Sequence, residues 1–227
     1  ASEAATHRAE ITVRANQSMG AHYAGWRVAA LACARMPRPA RQREDHDMKI
    51  DGNARIATWT FDRPARGNGL DEATLAAMEE ALDGLDRDDG TVTCLLVAGA
   101  PAVFSTGLDE GLLASCFADA RAFVAVIERF NVILDRLEAL PLITVACVEG
   151  ACRLGGLELA LACDLIIAGA DARLEDGHLA YDAMPGGGAT RRLPGRLGYA
   201  GALRFILFGT AFDAAAALDH GLVDEAV

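Results

Sequence analysis

Long hydrophobic runs are absent. No apolar stretch reaches the roughly 18–20 residues that a membrane-spanning helix needs, so no membrane partner is expected. Basic charge is also scarce. The chain carries 21 Lys and Arg against 32 Asp and Glu, a net charge of −11, which argues against the basic footprint of a nucleic-acid binder. The six cysteines, at 33, 94, 116, 147, 152 and 163, form no CxxC pair and no metal-like spacing with histidine. Four lie in or beside apolar runs, so they read as buried, reduced thiols of a reducing compartment rather than as disulfides. A cytoplasmic location follows as the expectation, and no metal is called for.

What is present describes one globular domain. Of 227 residues, 52% are hydrophobic and 23% charged, enough to bury a sizeable core. Residues 1–47 differ in kind. They hold seven arginines against five acids, a local charge of +2 that leaves −13 for the rest. This segment reads as a disordered or non-native extension, with residues 48–227 as the domain proper. An organelle-targeting peptide, and with it a matrix location, ranks below both because of Glu3, Glu10 and the breaker-rich "ARMPRPARQREDHD".

Beyond residue 50, short apolar runs alternate with amphipathic ones. Strands are expected at 55–61, 91–99, 142–150 and 164–169. Helices are expected at 71–88, with Asp71 as N-cap, at 120–140, stopped by Pro141, around Glu158, and at 198–208 and 213–220. This alternation indicates α/β layers. Glu158 is the anomaly, a lone carboxylate among Leu154, Leu157, Leu159, Leu161, Leu165, Ile166 and Ile167. Buried carboxylates are rare unless paired or functional. Apolar surroundings raise a carboxyl pKa and suit it to proton transfer near neutral pH. The preceding Gly155–Gly156 pair leaves first-turn N–H groups free to meet a ligand. Packing glycines and a capping glutamate are the plain alternative. A second turn of similar make is "VFSTGLDEG" at 103–111. Two such turns converging supply paired N–H donors for an oxyanion.

Several blocks resemble the crotonase (enoyl-CoA hydratase/isomerase) superfamily, and they occur in that family's order. "RPARGNGLDEATLAAM" resembles RPxxxNAL, and "FSTGLDEG" resembles F(S/C)AGAD. "VEGACRLGGLELALACDLIIAG" is similar to VNGxALGGGxELAxACDxxxA, and "MPGGGATRRLPGRLG" to PGxGGTQRLxRxxG. "GTAFDAAAALDHGLVDEAV" resembles TGxxxxAxxAxxxGLVxxVV. The resemblance implies an α/β crotonase-like spiral of repeated ββα units, with the C-terminal helical part truncated. It implies an acyl-CoA substrate, no separate cofactor (CoA enters within the substrate), and a homotrimer or hexamer.

Carried over residue by residue, the resemblance makes Leu108 and Gly155 the two oxyanion-hole N–H donors and Glu158 the first catalytic glutamate. Arg66, Asn68, Leu70 and Gly107 fall among the substrate- and CoA-binding positions. Three departures stand out. Leu154 replaces the first of three glycines, Glu149 stands where the family has Asn, and His178 stands where it has a second catalytic glutamate. Glu175, Asp176 and Asp182 lie near that histidine, and Asp164 and Arg192 match positions of structural type. A lyase or isomerase acting on a thioester enolate is the leading expectation. The alternatives are a non-catalytic crotonase-like subunit, and a CoA-thioester decarboxylase or hydrolase using His178.

Overall fold

The computed structural model describes residues 47–50, 55–88, 90–100, 102–116 and 119–227. Of the segment expected to be an extension, only Asp47 falls within them, as the first residue of strand β1 (Asp47–Ile50). The remainder, residues 1–46, lies outside. Among the described residues, no helix is long and apolar enough to cross a membrane.

Two sheets carry the fold. The larger runs β1, β2 (Ile56–Phe61), β3 (Cys94–Gly99), β5 (Ile143–Val148), β7 (Leu165–Ala168) and β10 (Glu225–Ala226). All its neighbours are parallel except β1 against β2. The smaller sheet orders β4 (Val103–Ser105), β6 (Ala151–Arg153), β8 (Arg173–Glu175) and β9 (Ala211–Asp213), with only β8–β9 antiparallel. Each long strand is therefore followed by a short one in the other sheet: β3 by β4, β5 by β6, β7 by β8. A helical segment then leads to the next pair, which is the repeated ββα arrangement.

Burial explains the strands. Val145, Ala146, Cys147 and Val148 are all buried, the continuous apolar run expected of a parallel strand covered on both faces. The helices follow their caps. Asp71 accepts the Thr74 N–H at the start of α1 (Glu72–Asp86), and Asp119 accepts the Arg121 N–H at the start of α3 (Ala120–Glu138). Between them lies α2 (Glu110–Cys116), and α4 (Gly155–Leu161) is buried on every residue. The fifth helix, α5 (Ala189–Leu207), is broken by a non-helical Gly198 at φ 67° and ψ 165°, and α6 (Ala214–Asp219) follows. The second half of α5 matches the helix expected at 198–208. Its first half and the short strands carried no expectation. The five described cysteines are free, four of them buried. Burial pushes the Cys94 thiol up to about 11 and Cys163 to about 12, so these are packing groups at neutral pH.

The contact between α4 and β4 leaves no room for a side chain. A Cβ at Gly156 would lie 2.1 Å from the Ser105 carbonyl oxygen. Gly156→Ala is expected to cost about 2–4 kcal/mol in urea unfolding. Gly195→Ala is the control, since a Cβ there meets nothing within 4 Å. It should hold stability or raise it by up to about 1 kcal/mol.

Candidate active site

Two backbone turns meet at the N-terminus of α4. The first follows β4 and contains Thr106, Gly107 and Leu108; the second follows β6 and contains Leu154, Gly155 and Gly156. A Cβ on Gly107, which sits at φ 87°, would lie 2.5 Å from the Gly155 nitrogen. A Cβ on Gly155 would lie 3.4 Å from the Leu108 nitrogen. The N–H groups of Leu108 and Gly155 are therefore neighbours across the junction. Leu108 forms an isolated parallel bridge with Leu70. Its bonds run from Leu70 N–H to the Gly107 carbonyl (2.8 Å) and from Asp109 N–H to the Leu70 carbonyl (3.0 Å). That pairing employs the residues flanking Leu108 and leaves its own N–H pointing the other way. Gly155 opens a helix, where first-turn N–H groups lack intrahelical partners. Among the described residues, neither N–H has an acceptor. Two adjacent donors suit an oxyanion.

The second turn is strained. Leu154 adopts φ 53° and ψ −132°, a conformation natural to glycine that costs a side-chain-bearing residue on the order of 1–3 kcal/mol. Its N–H donates to the Asp176 carbonyl at 3.0 Å, tying the turn to the segment after β8.

Glu158, one turn into α4, is 2% exposed. Its Oε1 accepts the Gly187 N–H at 2.7 Å and the Ala189 N–H at 3.1 Å. The N-terminus of α5 thus supplies the donors. Phe130 of α3 closes the same space, since a Cβ on Gly187 would lie 2.5 Å from Glu158 Oε2 and 2.8 Å from Phe130 Cε1. Burial holds the Glu158 carboxyl above the ordinary 4.5. The Ala189 N–H, the nearby His178 and the Gly187 N–H oppose that shift, and Asp176 adds to it. Arg192 anchors the loop that carries these donors. It donates to the Gly187 carbonyl at 2.8 Å and pairs with Asp135 and Glu138 of α3, both at 3.1 Å.

His178 begins a 3-10 turn, His178–Tyr181, behind Gly177. Its Nδ1 lies 3.0 Å from Oδ1 of the fully buried Asp176. The structure thus brings together Leu108, Gly155, Glu158 and His178.

The other expected positions do different work. Asn68 is buried and its side chain is engaged by backbone. Oδ1 accepts the Arg63 N–H at 2.7 Å, while Nδ2 donates to the Val103 and Phe104 carbonyls at 2.6 and 3.2 Å. It fixes the turn beneath Leu108. Leu70 is wholly buried, and Gly107 contributes its close backbone approach. Arg66 spends Nη2 on the buried Asp109, at 2.9 and 3.2 Å, but its side chain stays more than half exposed. Glu149 is exposed and Asp164 bonds Thr144 between β5 and β7. Sequence reasoning missed the Gly187 and Ala189 donors and Phe130. The signal for the donors was a glycine run opening a helix, which offers N–H groups to a distant carboxylate.

The sequence profile of the enoyl-CoA hydratase/isomerase family matches residues 51–227. A fatty acid oxidation complex subunit alpha of Aliivibrio fischeri is 34% identical over 176 residues, 76% of this chain and 26% of that protein. The Mycobacterium leprae protein named "Probable enoyl-CoA hydratase echA8" is 35% identical over 179 residues, 78% of this chain and 67% of that one. The crystal structure of an enoyl-CoA hydratase from Bacillus anthracis superposes with a TM-score of 0.74 at 26% identity. It covers 79% of this chain, which in turn spans 69% of that structure. The chain thus spans about a quarter of the first of these relatives and about two thirds of the other two.

A testable consequence concerns Glu158. Its folded-state pKa is raised above the unfolded value, so its stabilising contribution is full below about 4.5 and is lost as pH rises through the folded value. Glu158→Gln retains an acceptor for Gly187 and Ala189. Its stability relative to the parent protein should therefore improve as pH rises above about 4.5 in urea unfolding. Parallel pH profiles would contradict the desolvated carboxylate.

Proposed function

The chain belongs to the enoyl-CoA hydratase/isomerase family, and on that premise we propose that it processes acyl-CoA thioesters through an enolate. The adjacent free N–H groups of Leu108 and Gly155, with the buried carboxyl of Glu158 one helical turn away, carry this reading. The thioester oxygen sits between the two N–H groups, which bind it more tightly as negative charge develops. Each donor contributes roughly 3–4 kcal/mol to the transition state.

The reaction is addition of water across the double bond of a 2-enoyl-CoA. Glu158 removes a proton from water as the oxygen attacks Cβ, and the electron pair moves through Cα to the thioester oxygen. His178, as imidazolium, returns a proton to Cα as the enolate collapses. The raised affinity of Glu158 for protons matches a base that must take one up near neutral pH. The close Asp176–His178 pair also supports a second reading, in which neutral His178 activates water against the thioester carbonyl and CoA is released. A homotrimer or hexamer remains part of the proposal, read by sedimentation equilibrium.

Incubation with a panel of short enoyl-CoAs, read by mass, discriminates these chemistries. Hydration gives a product heavier by one water with the thioester intact; hydrolysis gives free CoA. Glu158→Gln should lower turnover by about 10²–10⁴-fold while thioester affinity stays within about threefold. Full activity in that variant would overturn the role of Glu158, and an unchanged panel with the parent protein would overturn the enzymatic reading. His178→Glu, which restores the family's carboxylate, should retain or raise hydration of a short enoyl-CoA. A folded, thioester-binding variant without hydration would rule out the hydratase assignment.

A further inference from the structure

We propose that Asp176 is the positioning residue of the site, holding the His178 ring in the Nδ1–H tautomer so that Nε2 faces the substrate. The inference rests on the acid/base role assigned to His178 above, and it applies to hydration and hydrolysis alike.

Asp176 has no solvent exposure, and a carboxylate in that position must be satisfied by protein donors. The donors available to its side chain belong to His178: the ring Nδ1 at 3.0 Å from Oδ1 and the backbone N–H at 3.3 Å from Oδ2. An ionised carboxylate only accepts hydrogen bonds. If Nδ1 were unprotonated, its lone pair would face Oδ1 with nothing between them. The carboxylate, itself without solvent contact, would then lose its shorter bond. Nδ1 therefore carries the proton in the neutral ring, and Nε2 is the nitrogen whose protonation changes.

The rest of the ring's surroundings agrees. The His178 side chain is 15% exposed and its Nε2 has no partner among the described residues. The other acid near the ring is Glu158 from α4, close enough for the charge of His178 to act on its carboxyl. Arg153 and Glu175 from the neighbouring strands are engaged elsewhere, with each other at 3.5 Å and, for Arg153, with Tyr181 at 3.0 Å. Asp182 is exposed. The backbone of Asp176 is also fixed, because its carbonyl accepts the Leu154 N–H at 3.0 Å. One residue thus sets the ring and touches the turn that presents the Gly155 N–H. A shift of Asp176 would disturb both halves of the site, as expected of a group acting through its neighbours.

The direct test is nitrogen NMR of the 15N-histidine-labelled protein, with the His178 ring signals assigned by their loss in His178→Gln. The neutral ring should show Nδ1 protonated and Nε2 as the free base. In Asp176→Asn the acceptor is replaced by a carboxamide and the population should move toward the Nε2–H form. An Nε2–H or rapidly averaging ring in the parent protein would overturn the proposal, and this result does not depend on any substrate or on the variant folding. Kinetics add the second arm. Asp176→Asn should lower kcat by about 10²–10⁴-fold with KM within about threefold, and should have no further effect in a His178→Gln background. Additive losses in the double variant would overturn the positioning role. A fixed Nδ1–H tautomer in a protein that turns over no CoA thioester would refute the proposed function while leaving the hold of Asp176 on the ring standing.

Discussion

The constraint on which the site depends is the meeting of two backbones without side chains, where Gly107 faces Gly155 and Gly156 faces Ser105. A Cβ at Gly107 or Gly156 would come within 2.5 Å of opposing backbone. Everything at the site depends on that approach. It sets the Leu108 and Gly155 N–H groups side by side, starts α4 at the right place and so puts Glu158 one turn behind them. Such proximity follows from the two-sheet plan, because β4 and β6 are adjacent parallel strands whose ends release the two turns together.

A buried carboxylate beside this junction would be costly without donors. The N-terminus of α5 provides them through Gly187 and Ala189, and Arg192 ties that loop to α3. The outcome is a compromise: two hydrogen bonds hold the carboxyl in one orientation while burial beside Phe130 keeps its proton affinity high. A group that is fixed in place and ready to exchange a proton is what acid/base catalysis needs. The stability given up in desolvating Glu158 and in straining Leu154 is spent at the same turn, which is where functional strain tends to collect.

Much of this was legible in the sequence, for identifiable reasons. The parallel strands β5 and β7 announce themselves as continuous apolar runs and β2 by its alternation, and all three fall inside the expected ranges. Asp71 and Pro141 marked helix ends through chemistry that acts locally. Glu158 was visible because a single charge in an apolar helix is improbable without a use. The short strands β4, β6, β8, β9 and β10 were not legible. Two or three residues cannot display a period of two, and their identity comes from neighbours distant in sequence. The expectation that a strand ran from 91 to 99 overshot at its start, since Thr91–Thr93 precede the first paired residue, Cys94. The donors to Glu158, 29 and 31 positions further on, were hidden for the same reason of distance. His178 was recognised only as a departure, and its partner Asp176 as a neighbour of unknown role. The orientation that joins them depends on a buried turn that no local pattern reveals.

In the proposed reaction the Leu108 and Gly155 N–H groups receive the thioester oxygen. The most direct measurement is the infrared carbonyl band of a 13C-labelled, non-reacting acyl-CoA, free and bound to the Glu158→Gln protein. Two donors converging on the oxygen should lower the stretching frequency and narrow the band on binding. A bound thioester whose carbonyl band stays at its solution position would mean that the two turns meet for packing alone, and the account would fail.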